Sequence, residues 1–98
     1  MMKRIAERSR RFRRDLKQAL KGRYRDIVAE GGELDNVVDA LALGLPLPEK
    51  YHDHALHNNW EGYRECHIRP DLLLVYAYID DDVLRLESLG SHSEILGL

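Results

Sequence analysis

Leu72-Leu73-Leu74-Val75-Tyr76-Ala77-Tyr78-Ile79 is a run of eight residues without a charge. Such a run reads as a strand buried on both faces, and so as the centre of a sheet. Asp80-Asp81-Asp82 follows it, and aspartates favour a tight turn because their side chains bond nearby backbone N–H groups. Val83 to Leu89 then resumes as a strand. Period-two alternation puts Leu84, Leu86 and Ser88 on one of its faces and Val83, Arg85, Glu87 and Leu89 on the other. Upstream, Tyr63 to Arg69 reads as a strand and Pro70-Asp71 as a turn. Three consecutive strands joined by tight turns predict an antiparallel meander.

Working outward, Met2 to Glu7 is expected to be a first strand, and it must join the sheet for its edge to be paired. Ser9 is a suitable N-cap for a helix carrying Phe12, Leu16, Ala19 and Leu20 at helical spacing. That helix is expected to end near Lys21 or to continue through Gly22, with Tyr24, Ile27 and Val28, to about Ala29. Gly31-Gly32 breaks the chain. Glu33 to Leu43 is a second helix with Leu34, Val37, Val38 and Leu41 on one face, and Gly44 is its C-cap. Pro46 and Pro48 stop helical structure and favour an extended connection. The tail from Ser91 to Leu98 is expected to form a final turn or strand. The order β-α-α-β-β-β predicts an α+β fold, an antiparallel sheet with two helices packed on one face. Residues 1–98 are expected to form a single domain.

Composition narrows the function classes. No apolar run is long enough to span a membrane. The opening Met1-Met2-Lys3-Arg4-Ile5 lacks the apolar core of a signal peptide. The lone Cys66 rules out an internal disulfide framework and fits a reducing, cytoplasmic setting. Cys66 is expected to be a packed strand thiol, since a nucleophile would need a partner base and a lowered pKa. The net charge of −2 conceals an asymmetry. Residues 1–25 hold eleven Lys/Arg against Glu7 and Asp15, and residues 26–98 hold four against fifteen acids. The basic helix face of Arg10, Arg11, Arg13, Arg14 and Lys17 suits RNA phosphates or an acidic partner, and is otherwise an ordinary solvated face.

The remaining signal is histidine. Tyr51-His52-Asp53-His54-Ala55-Leu56, Gly62-Tyr63-Arg64-Glu65-Cys66-His67-Ile68-Arg69-Pro70-Asp71 and Gly90-Ser91-His92-Ser93-Glu94 place several histidines at strand edges and loops. Histidine titrates nearest neutral pH, so a cluster of them suits acid–base chemistry without a metal. His52, Asp53, His54 and His57 have tight local spacing, but no cysteine pair accompanies them, and no metal or cofactor is expected.

These segments resemble the RelE/ParE superfamily, specifically the YafQ-like mRNA-cleaving toxins, over roughly residues 46 to 96. The matching patterns are D-H-x-L, G-x-R-[ED]-x-H-[IV]-x-P-D and G-[ST]-H. The resemblance implies that His54, His67, Asp71 and His92 are the catalytic positions. His54 or His67 would be the base, Asp71 a second proton acceptor or orienter, and His92 the acid or phosphate donor. It also implies RNA contacts at positions 64, 69, 72, 88 and 96, occupied here by Arg64, Arg69, Leu72, Ser88 and Leu96. Three of these depart from the family pattern. Ser88 stands where an arginine normally neutralises the phosphate, and Leu72 and Leu96 stand where aromatic rings often stack on bases.

The resemblance therefore implies a toxin of a type II toxin–antitoxin pair that cuts mRNA, in a ribosome-dependent manner, with activity attenuated by Ser88. It further implies a cognate antitoxin of ribbon-helix-helix type with a C-terminal wrapping segment. Two alternatives are a catalytically weak module that binds antitoxin and tunes repression, and a ParE-like gyrase inhibitor.

Overall fold

The structure, a computed structural model, describes residues 3–96, with the Leu96 side chain outside the described part. Five strands form one sheet: β1 (Ile5–Arg8), β2 (His54–Ala55), β3 (Arg64–Arg69), β4 (Leu72–Tyr78) and β5 (Val83–Gly90). Their spatial order is β1-β5-β4-β3-β2. The apolar run is the central strand, and Leu72 through Ala77 are all buried. The Asp80 carboxylate accepts from the backbone N–H groups of Asp82 and Val83, at 2.7 and 2.9 Å, which closes the β4–β5 hairpin.

Four helices accompany the sheet: α1 (Arg10–Ala19), α2 (Arg25–Val28), α3 (Glu33–Ala42) and α4 (His92–Leu96). Ser9 caps α1, its Oγ accepting from the Phe12 N–H at 2.9 Å and donating to the Glu87 carbonyl at 2.8 Å. Phe12 of α1, Val28 of α2 and Leu34, Val37 and Leu41 of α3 pack against Cys66, Ile68, Leu74, Tyr76, Leu84 and Leu86. This one-sided apolar layer is the main core, and it leaves the opposite face of the sheet for the site. Gly32 makes the close approach of α2 and α3 workable, since a Cβ there would lie 2.6 Å from the Asp26 carbonyl oxygen.

The α+β class, the meander and the end of the first helix near Lys21 agree with the expectation, while the edge strand β2 was read as loop and other details differ. The sheet is mixed, because β1 runs parallel to β5 with Ile5 opposite Val83. The helical stretch beyond Gly22 is a separate single turn, α2, since Gly22 interrupts the ladder. The tail is a helix, α4, whose N-terminus is a reciprocal capping box. In it Ser91 Oγ accepts from the Glu94 N–H at 3.2 Å and Glu94 Oε1 accepts from the Ser91 N–H at 2.9 Å. Finally, the alternation expected along β5 slips at a bulge between the Val75–Ser88 and Tyr76–Leu86 pairs. Glu87 is the extra residue, and Leu89 thereby joins Leu84 and Leu86 in the helix-side core.

Candidate active site

The face of the sheet away from the main core carries a second, smaller apolar cluster. Leu73 and Val75 pack there against Ile95 of α4, with Leu56, Trp60 and Tyr63 around them. Beside it, Glu65 and His67 project from β3 two residues apart, and so on the same side of the strand. Glu65 lies opposite His54 in the β2–β3 pairing. His92, the first residue of α4, comes over from the far side of β4.

Glu65 is the hub. It is only 3% exposed. His54 Nε2 is 2.9 Å from its Oε2, His92 Nε2 is 3.2 Å from its Oε1, and His67 Nε2 is 3.9 Å from its Oε2. The ring centroids of His67 and His92 are 5.5 Å apart, and those of His54 and His67 6.1 Å. A buried carboxylate is costly unless cationic or donor groups surround it, and here three imidazoles do so.

The three rings are not equivalent. His54 Nδ1 lies 2.7 Å from the His52 carbonyl while its Nε2 faces Glu65, so both nitrogens are placed to donate. Both ring nitrogens are thus engaged by acceptors on the protein, which ties the ring in place. His67 is the opposite case. Burial holds its pKa below the usual 6.5 and outweighs the Glu65 carboxylate, and the neighbouring His92, His54 and His52 push the same way as burial. His92 is half-exposed, binds Glu65 through Nε2, and has no protein partner at Nδ1 among the described residues.

The other positions singled out from the sequence lie elsewhere. Asp71 does not join the histidines. Its carboxylate accepts from the Tyr24 hydroxyl and the Arg23 guanidinium, both from the α1–α2 connection. With Asp15, Leu89, Ser91 and Glu94 it lines a separate cavity of about 410 Å³. Arg64, expected at the RNA, is turned toward Asp53 and the Tyr76 hydroxyl, each 3.3 Å away. That network anchors the loop carrying His52 and His54. Leu72 is buried in the helix-side core and Ser88 is fully buried, its Oγ donating to Asp15 at 2.8 Å. Neither side chain reaches solvent where an RNA strand would meet it. The Leu96 side chain lies outside the described residues. Arg69 pairs with Glu33 at 2.8 Å and lines a cavity of about 630 Å³ together with Lys50, His52, His54 and His67. Cys66 is the packed thiol expected, with its pKa pushed up to about 12, chiefly by burial.

Sequence reasoning missed Glu65: it occupies the [ED] of the G-x-R-[ED]-x-H pattern, two residues from His67, but an acid on a strand reads by default as a solvated side chain. Donor atoms of His54, Glu65 and His67 also lie within 4.8 Å of one another, a spacing that a metal ion can use. This set differs from the local His52-Asp53-His54-His57 cluster weighed from spacing.

The sequence profile described as "Bacterial toxin of type II toxin-antitoxin system, YafQ" matches residues 4–97. The chain belongs to this family. The mRNA interferase toxin YafQ of Escherichia coli strain B / BL21-DE3 is 38% identical over 98 residues, spanning 99% of this chain and 100% of that one. The toxin in the E. coli DinJ-YafQ toxin-antitoxin complex is 36% identical with a TM-score of 0.81, covering 98% of this chain and 100% of that one. A copper-bound mutant toxin from Helicobacter pylori is 36% identical with a TM-score of 0.82, covering 96% of this chain and 99% of that one.

Proposed function

We propose that this toxin cleaves mRNA by metal-free acid–base catalysis at the His54–Glu65–His67–His92 cluster. The observation that carries the reading is the convergence of three histidine rings on one buried carboxylate, two of them in contrasting hydrogen-bond environments. His67, neutral at pH 7, takes the proton of the 2′-hydroxyl. The 2′-oxygen then attacks the adjacent phosphorus and the bond from phosphorus to the 5′-oxygen breaks. His92, held by Glu65 through Nε2, delivers a proton from Nδ1 to the departing 5′-oxygen. The products are a 2′,3′-cyclic phosphate and a 5′-hydroxyl. His54, donating to both Glu65 and the His52 carbonyl, holds the carboxylate in place rather than acting as base. Assigning base and acid to groups whose environments push them apart follows the general logic of paired catalysts.

The mRNA substrate and the partners rest on the relatives. The E. coli relative is named an mRNA interferase, and another is found with the antitoxin DinJ. We infer a cognate antitoxin for this chain, of ribbon-helix-helix type with a wrapping C-terminal segment, and action on translating ribosomes. Helix α1 supports a polyanionic partner. Arg10, Arg13, Arg14 and Lys17 are exposed on it and enter no ion pair among the described residues. Its first turn holds no acid, so the arginines there oppose the helix dipole, a local cost of stability.

Primer extension on a reporter mRNA in a reconstituted translation reaction tests the proposal. Translation-dependent cuts that vanish with His92→Ala support it, and absence of cuts at high protein concentration refutes it. A second reading, metal binding, is favoured by the His54–Glu65–His67 donor set and by the copper-bound H. pylori relative. A metal there would occupy the His67 lone pair that the base needs, so metal binding and cleavage compete for one site.

A further inference from the structure

The phosphate that gains negative charge during cleavage needs a cation, and position 88 cannot supply one. Ser88 is fully buried against Asp15, and Arg85 on the same strand lines neither of the cavities beside the histidines. Two cavities flank the turn between β3 and β4. The one behind Asp71 is lined by Asp15, Asp71 and Glu94, three carboxylates against the single cation Arg23, and so disfavours an anion. The larger, about 630 Å³, is lined by Lys50, His52, His54, His67, Ile68, Arg69 and Pro70. Among the described residues no carboxylate lines it. Two cations and two site histidines face it.

His52 sits in the left-handed region at φ 48°, an uncommon conformation for a residue with a side chain. That conformation aims its carbonyl at His54 and sets its ring edge-to-face with His67, centroids 5.8 Å apart. Arg69 is anchored on one side by Glu33, which also accepts from Tyr51 at 2.6 Å, while Lys50 lies over the Tyr51 ring at 5.1 Å. The Glu33–Tyr51 pair therefore positions both cations without itself lining the cavity.

We propose that this cavity is the phosphate subsite, with Lys50 and Arg69 as the phosphate-binding residues that replace the arginine missing at position 88. The inference rests on the nuclease reading for its substrate, a backbone phosphodiester of single-stranded RNA, but an anion site here is a physical property that can be tested without cleavage. The cations come from the loop before β2 and the end of β3, on the opposite side of His67 from β5. The scissile phosphate would thus be held from the side of the base rather than from that of the acid.

The test is an NMR titration of the whole chain with inorganic phosphate and, separately, with a DNA oligonucleotide, which lacks the 2′-hydroxyl and cannot be cut. Both should shift the ring resonances of His52 and His67. In Lys50→Gln/Arg69→Gln the affinity should fall roughly tenfold or more, as expected for loss of charge-assisted bonds. Arg69→Lys keeps the charge without the bidentate fork and should retain most of the binding, which covers the case in which Arg69→Gln weakens the fold through Glu33. Arg23→Gln, in the other cavity, should change nothing. If cleavage is also measured, Lys50→Gln should lower it by about tenfold or more. Phosphate shifts at these rings with no cleavage by any variant would leave the anion site standing and remove the nuclease reading. Shifts that map to Arg23 and Tyr24, or that survive Lys50→Gln/Arg69→Gln in a folded protein, would overturn the proposal.

Discussion

Glu65→Gln separates what the hub does for chemistry from what it does for stability. The substitution keeps the shape and one carbonyl oxygen but removes the charge and turns one acceptor into a donor. In the native site the carboxylate receives His54 at 2.9 Å and His92 at 3.2 Å. The amide can satisfy only one of them, so one charge-assisted hydrogen bond is lost. Such a bond contributes about 1.5–3 kcal/mol, and His92 is the half-exposed member that more readily swings away. If the whole loss falls on the orientation of the acid, the rate drops roughly 10- to 150-fold. Stability should move differently. Glu65 is almost fully buried, and removing a buried charge relieves a desolvation penalty. The lost hydrogen bond offsets that relief, so the melting temperature is expected to change little while cleavage falls. Single-turnover cleavage on programmed ribosomes, alongside a thermal melt followed by circular dichroism, measures both quantities. Wild-type cleavage by Glu65→Gln would refute the hub. A large fall in melting temperature would show that the carboxylate is mainly a structural tie.

Four further outcomes are expected. Cleavage should have an acidic limb below pH 6.5, because His67 is held neutral by burial and loses its function as base once protonated. The same group makes the unfolded chain bind more protons as pH falls through 6.5 toward the folded pKa, so stability drops over that window, measurable as pH-dependent urea midpoints. Ser88→Ala should cost about 1 kcal/mol by removing the bond to Asp15, a shift of about 4–8 °C for a domain of this size. Cleavage by the folded fraction should stay unchanged, and loss of cleavage at full folding would return position 88 to the site. A transition-metal-selective chelator at constant free Mg²⁺ should leave cleavage intact or raise it, and added zinc should lower it in competition with substrate. A requirement for metal would overturn the acid–base reading.

The uncharged run from Leu72 made the central strand legible, and the aspartate triplet made its hairpin legible, because both signals are local. The direction of β1 was not legible, since four exposed residues at a sheet edge pair with Val83 to Leu86 by tertiary geometry alone. Helix α4 carried a readable sign in Ser91 and Glu94, a capping-box spacing, but its shortness hid it. The histidines at 54, 67 and 92 were legible through a motif, whereas their common partner was not, because nothing local distinguishes Glu65 from a solvated acid. The engagement of Asp71 with Arg23 spans 48 positions, and the Ser88–Asp15 bond spans 73. The second comes from how α1 lies along β5 and the first from where the α1–α2 connection meets the β3–β4 turn, and periodicity encodes neither.

The placement of His92 depends on a helix that cannot stand alone. Five residues are far below the length at which an isolated helix is stable, so α4 persists only through tertiary ties. Ile95 supplies one, buried against Leu73 and Val75. Gly90 supplies another by letting the chain turn at φ 156°, where a Cβ would lie 3.1 Å from Glu94 Oε1. Arg11 supplies the third. Its guanidinium donates to the carbonyls of Ile95 at 2.6 Å and Glu94 at 3.3 Å, and lies over the Trp60 ring at 5.6 Å. A cation on these carbonyls satisfies orphan acceptors at a helix C-terminus and complements its dipole. Arg11 is thus a positioning residue for His92, reached from α1 across the end of the sheet. Arg11→Gln should cost about 1 kcal/mol of stability, since the contact is partly exposed, yet it should release the C-terminal end of α4. The acid then samples a wider range of positions, and cleavage should fall about five- to tenfold with little change in the concentration of ribosomes needed for half-maximal rate. The His92 ring resonance should broaden or shift in the same variant while that of His54 stays fixed. If Arg11→Gln instead weakens ribosome binding and leaves the His92 resonance untouched, Arg11 belongs to the basic docking face of α1, and the tie to α4 is incidental.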